Sequence, residues 1–420
     1  MARSSRQIRV ALVTYAMHCG GMETLLLRLG RYLREHGCEI EVFTTVERGE
    51  WFERWTELGI TAQHVAGRSS GTLLAPVLHS LRVASRLSAG DFDIVFLHHS
   101  LHAQASIAKL PGHVVVIPVL HNDEEYIYRV GCSNPDAWNV AVAVSPKVAA
   151  AARHRVPGRP VIQISSGVDL PDAQSFQRRR SLDGRLELIF VGRLEHSQKG
   201  VLWLPDILKA CRERGTVARL TIVGDGPDRA KLQQKLSDYG LASDVQHLSG
   251  LRPEEVYTQL LDAHILLMPS QYEGLPIALL ESQACGCVPV VSLLPGITDT
   301  VVVGGETGML AGVGDVSAFA EAVVALQRDP AAWARMSAKA HETIRAEFSV
   351  PTMGDKYLQL ITDASEGRYP LARPRVLQPA VNLNVFRWRE FLPGWLRPLG
   401  RRGRHLLARS IPTVLRKRGV

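Results

Sequence analysis

Two doubly wound α/β domains facing a central cleft, followed by a basic tail, are the fold that the sequence predicts. Three observations carry it. Short apolar runs alternate with segments of helical apolar spacing along most of the chain. A polar stretch at 171–184, PDAQSFQRRRSLDG, divides that alternation into two sets. The length of 420 residues also exceeds what one core comfortably holds. With 46% hydrophobic and 21% charged residues the balance is that of an ordinary globular protein, which excludes disorder, coiled coil and collagen.

The first element, IRVALVT at 8–14, is the short apolar run of a buried parallel strand. A loop holding Gly20 and Gly21 follows. Leu25, Leu26, Leu29, Tyr32 and Leu33 then recur at helical spacing until Gly37 ends the run. The alternating EIEVFTT at 39–45 completes a strand, helix, strand unit, which implies a right-handed parallel crossover. Further strands are expected at 93–97, 114–121, 140–145 and 161–169. Beyond the polar stretch the strands fall at 186–192, 218–224, 244–250, 263–270 and 288–292, with helices at 201–214, 227–239, 253–262 and 276–286 between them. In such sheets ligands bind beyond the carboxyl ends of the strands, so the site belongs in the cleft. The domains expected are a first doubly wound domain at 1–170, a linker at 171–184, a second doubly wound domain at 185–350, a helix at 351–366 and a tail at 367–420.

Charge is divided unevenly. Residues 367–420 hold twelve Arg and one Lys against the single acid Glu390, a net +12, which leaves residues 1–366 at −4. The positive balance belongs to the tail, and the body calls for no nucleic-acid partner. The six cysteines are scattered without CxxC pairs, the pattern of reduced thiols packed as small apolar residues. No window reaches the length of a spanning helix, and residues 1–9 lead into a strand without the apolar core of a signal peptide, so a cytoplasmic location is expected.

The strongest chemical signal is PSQYEGLPIALLESQACGCVPVV at 269–291. Glu273 precedes Gly274, Leu275 and Pro276, and proline suits a first helical turn because the N–H it lacks would be unpaired there. Free N–H groups and the positive end of the helix dipole then favour an anion in the cleft. Glu281, further along the same helix, offers a carboxylate that accepts two hydrogen bonds from a vicinal diol, such as a ribose beside a phosphate. A second cluster lies at the end of strand 186–192: Gly192, Arg193, then Lys199 and Gly200, a fork and a point charge able to clamp a diphosphate. His121 ends an apolar strand and reaches the cleft. Gly224 opens a GDGP turn after another strand.

This pattern resembles the E-x7-E signature and GR...KG pair of retaining GT-B glycosyltransferases of family four, over residues 8–366. The resemblance implies the GT-B fold, with 1–170 on the acceptor side, a nucleotide-sugar donor bound by 185–350, a helix at 351–366 returning to the first domain, and no cofactor; the donor expected is a UDP- or GDP-sugar. Gly20 and Gly21 stand where the family has a Gly-rich loop near the donor phosphate, the GDGP turn where it has its next element, and His121 where a His contacts the donor sugar. It implies a hexosyltransferase in which Arg193, Lys199, Glu273 and His121 act on the donor and Glu281 holds its ribose. Metal is not called for: Asp91 and Asp93 form a DxD at the start of a strand, the wrong edge of the sheet, and His98, His99 and His102 lack a third-ligand context. Two other readings stay open, a non-catalytic subunit binding a glycan or partner enzyme, and a nucleotide-sugar epimerase or phosphorylase-like enzyme. The excess of Arg over Lys, 40 to 9, hints at a GC-rich bacterial genome and a surface or exopolysaccharide pathway with a lipid-linked glycan acceptor. In the tail, Phe386, Trp388, Phe391 and Trp395 among many Arg suit an anionic membrane surface, peripheral on the inner face of the plasma membrane, and Pro393, Pro398 and Pro412 break any long helix.

Overall fold

The computed structural model describes residues 7–67, 74–177, 182 and 185–386. Its first sheet has seven strands, β1 Arg9–Thr14, β2 Glu39–Thr44, β3 Thr61–His64, β4 Ile94–His98, β5 Val115–Leu120, β6 Ala141–Ala143 and β7 Val161–Gln163, in the order β3-β2-β1-β4-β5-β6-β7. The second has six, β8 Leu186–Val191, β9 Ala218–Val223, β10 Val245–Leu248, β11 Ile265–Met268, β12 Val288–Ser292 and β13 Met309–Ala311, in the order β10-β9-β8-β11-β12-β13. All strand pairs are parallel. The central strands β4, β5, β11 and β12 are buried at every residue, as a parallel sheet covered on both faces requires.

The sequence reading misses β3 and β13. Both are short edge strands: β3 is polar and half exposed (TAQH), and β13 spans three residues after a Gly-rich turn, so neither carries the apolar run that marks its neighbours. In each sheet the strand order reverses once, between β1 and β4 and between β8 and β11. The loops leaving these strands carry Gly20 and Gly21, His98 and His99, Arg193 to Lys199, and Pro269 to Pro276, so most of the candidate residues stand at the two switch points.

The chain crosses between the halves twice, and the crossings are tied together. Val168 N–H donates to Phe348 O at 2.9 Å and Val350 N–H donates to Val168 O at 3.0 Å. Beyond them the helix Val350–Ser365 buries Met353, Tyr357 and Leu360 in the first half's core, among Leu25, Leu29, Phe96 and Ile117. It lies so close to helix Gly21–Glu35 that a Cβ on Gly354 would stand 2.1 Å from the Tyr32 ring, whose hydroxyl donates to Asp355 at 2.7 Å. The polar stretch after Pro171 begins with a short helix, Ala173–Gln177, whose Phe176 ring packs on His341.

The segment after Gly367 departs from the sequence reading, which counts it as tail from 367 onward. Through residue 386 it is a strap on the first half. Arg375 is buried, and its guanidinium donates to the carbonyls of Ala137, Pro111 and Val114 at 2.9, 2.7 and 2.9 Å and to the Asn139 amide oxygen at 3.5 Å. Asn382 N–H donates to Ala105 O at 2.8 Å, and Val385 and Phe386 are buried against Ala105 and Val130. Phe386 is therefore a core residue and not a membrane anchor, because an apolar pocket of the first half covers its ring. The rest of the basic segment, 387–420, lies outside the described residues.

The Gly354 contact yields a prediction. Gly354→Val forces Tyr32 off its site and lowers unfolding free energy by about 1–3 kcal/mol, the usual range for overpacking. Urea denaturation checks it, and an unchanged midpoint refutes the close approach of the two helices.

Candidate functional site

The site is built where loops from both halves meet. Gly200 has φ +65° and stands so near the next loop that a Cβ would lie 1.9 Å from Pro269 O. Only glycine tolerates both demands. The two loops are laced by Gln271 N–H donating to Gln198 O and the Gln271 amide donating to His196 O, each at 2.7 Å. That lacing sets Lys199, at the end of the short helix His196–Lys199, against Glu273. Lys199 Nζ donates to Glu273 Oε1 at 2.7 Å, and Ser270 Oγ donates to the same oxygen at 2.7 Å. Glu273 is 4% exposed.

Across the cleft, Gly274 touches the tip of β5. A Cβ there would stand 2.0 Å from His121 O and 2.6 Å from Asn122 Cα, so the two halves approach through bare backbone. His121 is thus brought beside Glu273. Its Nε2 hydrogen-bonds His98 Nδ1 at 2.8 Å, and its N–H donates to His99 Nε2 at 3.2 Å. Burial pushes His98 down to about 3 and His99 to about 4, and holds His121 well below the ordinary imidazole range. All three rings are neutral near pH 7, and a neutral His121 donates or accepts without adding charge. His102 faces away from this trio, edge-on to His79 with Ser80 Oγ at 3.1 Å. Asp91 and Asp93 lie before β4, at the edge opposite the cleft, where Asp93 accepts from Arg9 N–H at 2.9 Å.

The loop from Gly274 through Pro276 leads into helix Ile277–Ala284, with Pro276 as its N-cap residue and one place short of the first turn. Gly20 is the N-cap residue of helix Gly21–Glu35, and a Cβ on Gly21 would lie 3.2 Å from the Ile277 side chain. Two helices therefore begin at one point of the cleft, and their positive ends combine there. Leu275 is buried in the second half's core, whereas Gly224 backs onto Gly192, where a Cβ would stand 2.0 Å from Gly192 O. Arg193 is turned outward, its side chain 62% exposed and paired with Glu195.

Glu281 is not the open carboxylate that the sequence suggests. Arg28, on helix Gly21–Glu35, donates from Nη2 to Glu281 Oε1 at 2.7 Å and from Nε to Asp169 Oδ2 at 2.8 Å. Burial raises the Glu281 carboxyl, and the guanidinium offsets part of that rise. Sequence reasoning passed over Arg28, Asp169 and also Glu23. Glu23 is 5% exposed in the first turn of its helix, and burial pushes it up to about 7. An acid two residues after a Gly-Gly pair at a helix start is a signal available for Glu23. Nothing local marks Arg28, which reads as one of three arginines, with Arg31 and Arg34, on an amphipathic helix.

Comparison with known proteins follows the same division of the chain. The Glycosyltransferase Family 4 model matches residues 19–171, and the Glycosyl transferases group 1 model matches residues 185–329. The GDP-mannose-dependent alpha-(1-6)-phosphatidylinositol monomannoside mannosyltransferase of Mycolicibacterium smegmatis is 28% identical over 384 residues, 83% of this chain and 96% of the relative. Glycogen synthase of Mycobacterium tuberculosis is 29% identical over 219 residues, and the match spans about half of each protein, 52%. The structure of Anabaena HepE in complex with UDP and glucose superposes with a TM-score of 0.72 at 17% identity, covering 84% of this chain and 99% of that one, a likeness of fold.

Glu23 makes the stability of the protein depend on pH. A carboxyl pushed up to about 7 from an ordinary value of 4.5 binds its proton more tightly when folded, so its contribution is full below pH 4.5 and is lost as pH rises through 7. Glu23→Gln, which cannot ionise, should match wild type near pH 4.5 and exceed it by on the order of 3 kcal/mol at pH 8. Chemical denaturation at the two pH values measures the difference, and an equal gain at both contradicts a buried, neutral Glu23.

Proposed function

We propose, for a chain that is by its two domains and fold a GT-B glycosyltransferase of the family-four type, that it moves a hexosyl group from a nucleoside diphosphate sugar to a hydroxyl, with retention and without metal. The observation that carries this reading is the Lys199, Glu273 and Ser270 cluster set beside His121 where two helix N-termini meet. In the reaction the bond from the anomeric carbon to the diphosphate oxygen breaks as a bond to the acceptor oxygen forms. The acceptor proton passes to the departing diphosphate on the same face. Negative charge grows on the diphosphate, and Lys199, Arg193 swung in from Glu195, and the N–H groups entering helix Ile277–Ala284 would stabilise it as fixed dipoles. Lys199 and Ser270 both donate to Oε1 of Glu273, which leaves Oε2 for the sugar hydroxyls. Neutral His121 orients the sugar, and Glu281 takes the ribose.

For the donor, the GDP-mannose-dependent mannosyltransferase and a structure of Anabaena HepE in complex with UDP-glucose support a GDP- or UDP-sugar. For the acceptor, the mannosyltransferase named for a phosphatidylinositol monomannoside favours a lipid-linked glycan. Among the described residues no helix is long and apolar enough to cross a membrane. A peripheral position on the inner face of the plasma membrane, reached through the basic segment after Phe386, fits a lipid-linked acceptor. The strap ends beside helix Leu101–Ser106 of the first half, on the acceptor side.

Two experiments test the reading. Slow hydrolysis of a UDP- and GDP-sugar panel, run with EDTA, is expected for wild type, and Lys199→Ala should lower it about 10²- to 10³-fold, the scale of losing one charge-stabilising donor. Near wild-type rates in that variant, or complete loss of wild-type turnover on chelation, reject the metal-free clamp. Flotation with anionic liposomes compares the full chain with a version ending at Phe386, which keeps the packed strap. Full-length protein should float at low salt and the truncated form should not, and equal flotation rejects docking by residues 387–420.

A further inference from the structure

Arg28 is held by three parts of the chain at once. It projects from helix Gly21–Glu35 of the first half, meets Asp169 on the crossing segment at 2.8 Å, and meets Glu281 at 2.7 Å and the Tyr257 hydroxyl at 3.2 Å in the second half. Tyr257 in turn donates to Asp169 O at 2.7 Å. The guanidinium is 4% exposed, and its Nη1 is buried without a hydrogen-bond partner. A charged nitrogen left in that state is rare in a finished site. It lies on the side chain that holds the carboxylate expected to take a diol.

We infer that Arg28 is a positioning residue for nucleoside recognition: by holding Glu281 across the cleft it keeps that carboxylate in place and aimed, so that the ribose is recognised only when the two halves are together. The inference rests on the nucleotide-sugar reading above. Oε1 of Glu281 is taken by Arg28, and Oε2 is the oxygen left for the diol. A carboxylate accepts from both ribose hydroxyls only while ionised. The groups facing Glu281 are Arg28 from the first half, Asp169 from the crossing, Tyr257 from helix Pro253–Asp262 and Cys285 at the end of its own helix. Of these only Arg28 is a cation, and it opposes the upward push of burial on Glu281, while Arg31 pairs with the Asp169 carboxylate. Without Arg28, Glu281 takes its proton at higher pH.

Calorimetric titration with UDP, GDP and their 2′-deoxy counterparts, repeated across pH, tests the inference. Wild type should prefer the ribonucleotide. Arg28→Gln should bind it at least about tenfold more weakly, the scale of a lost charge-assisted contact, while its affinity for the 2′-deoxy form changes little, so that the preference collapses. The acid limb of binding should move to higher pH in Arg28→Gln and stay in place in Arg28→Lys, which keeps the charge. A side chain with a packing role alone would weaken both nucleotides equally and leave the limb where it was. Because Arg28→Gln strands Glu281 and leaves Asp169 to Arg31 alone, Arg28→Gln with Asp169→Asn is measured alongside and read in the same way. Wild-type affinity, preference and acid limb in these variants overturn the role of Arg28 and leave the nucleotide reading standing. Failure of wild type to bind any nucleotide removes that reading and this inference with it.

Discussion

Two helices that start at the same point and run side by side place like ends of their dipoles together, and this constraint organises the cleft. Helix Gly21–Glu35 and helix Ile277–Ala284 come from different halves of the chain, yet Gly21 and Ile277 are in contact. Parallel dipoles in contact repel, so the arrangement needs compensation. Part of it is built in further along, where Arg28 and Glu281 join the same two helices by an ion pair. The rest is the open end, an electropositive focus between two sets of N–H groups that an anion would relieve. Glu23 stands in that first turn, and burial pushes its carboxyl up to about 7, so near neutrality it carries only part of a negative charge.

Close approach of backbones makes this junction possible. Gly274 meets the carbonyl of His121 where no side chain fits, and Gly200 meets the carbonyl of Pro269 in the same way. The first contact joins the two halves, and the second joins two loops within one half. Together they bring Lys199, Glu273 and His121 into one neighbourhood although the three leave different strands. Bringing a lysine and a carboxylate together in a buried place also keeps each charged partner satisfied, which is the condition under which such groups are tolerated away from water.

The return of the chain to its first half extends the same logic. The crossings at Val168 and Ser349 are paired, and the helix after them completes a core that the first seven strands leave open. The strap then seats Arg375 under the first sheet with carbonyl and amide oxygens in place of a carboxylate partner. Burial without a countercharge pulls this guanidinium down to about 10, a cost offset by four acceptors held in place by the surrounding loops.

By itself the sequence determined what depends on neighbours along the chain. The apolar runs of the central strands, the helical spacing of residues 25–33, the spacing of Glu273 and Glu281, and the glycines beside Arg193 and Lys199 are all local patterns, and burial and backbone preference act at that range. The edge strands β3 and β13 escaped because an edge needs no continuous apolar run. Tertiary structure alone decided the partners. Arg28 and Glu281 are 253 positions apart, and Arg375 and Ala137 are 238 apart. Which carboxylate a guanidinium meets, and whether an aromatic ring such as Phe386 is covered or left to solvent, depends on where two sheets and a returning helix place surfaces that no short window of sequence contains.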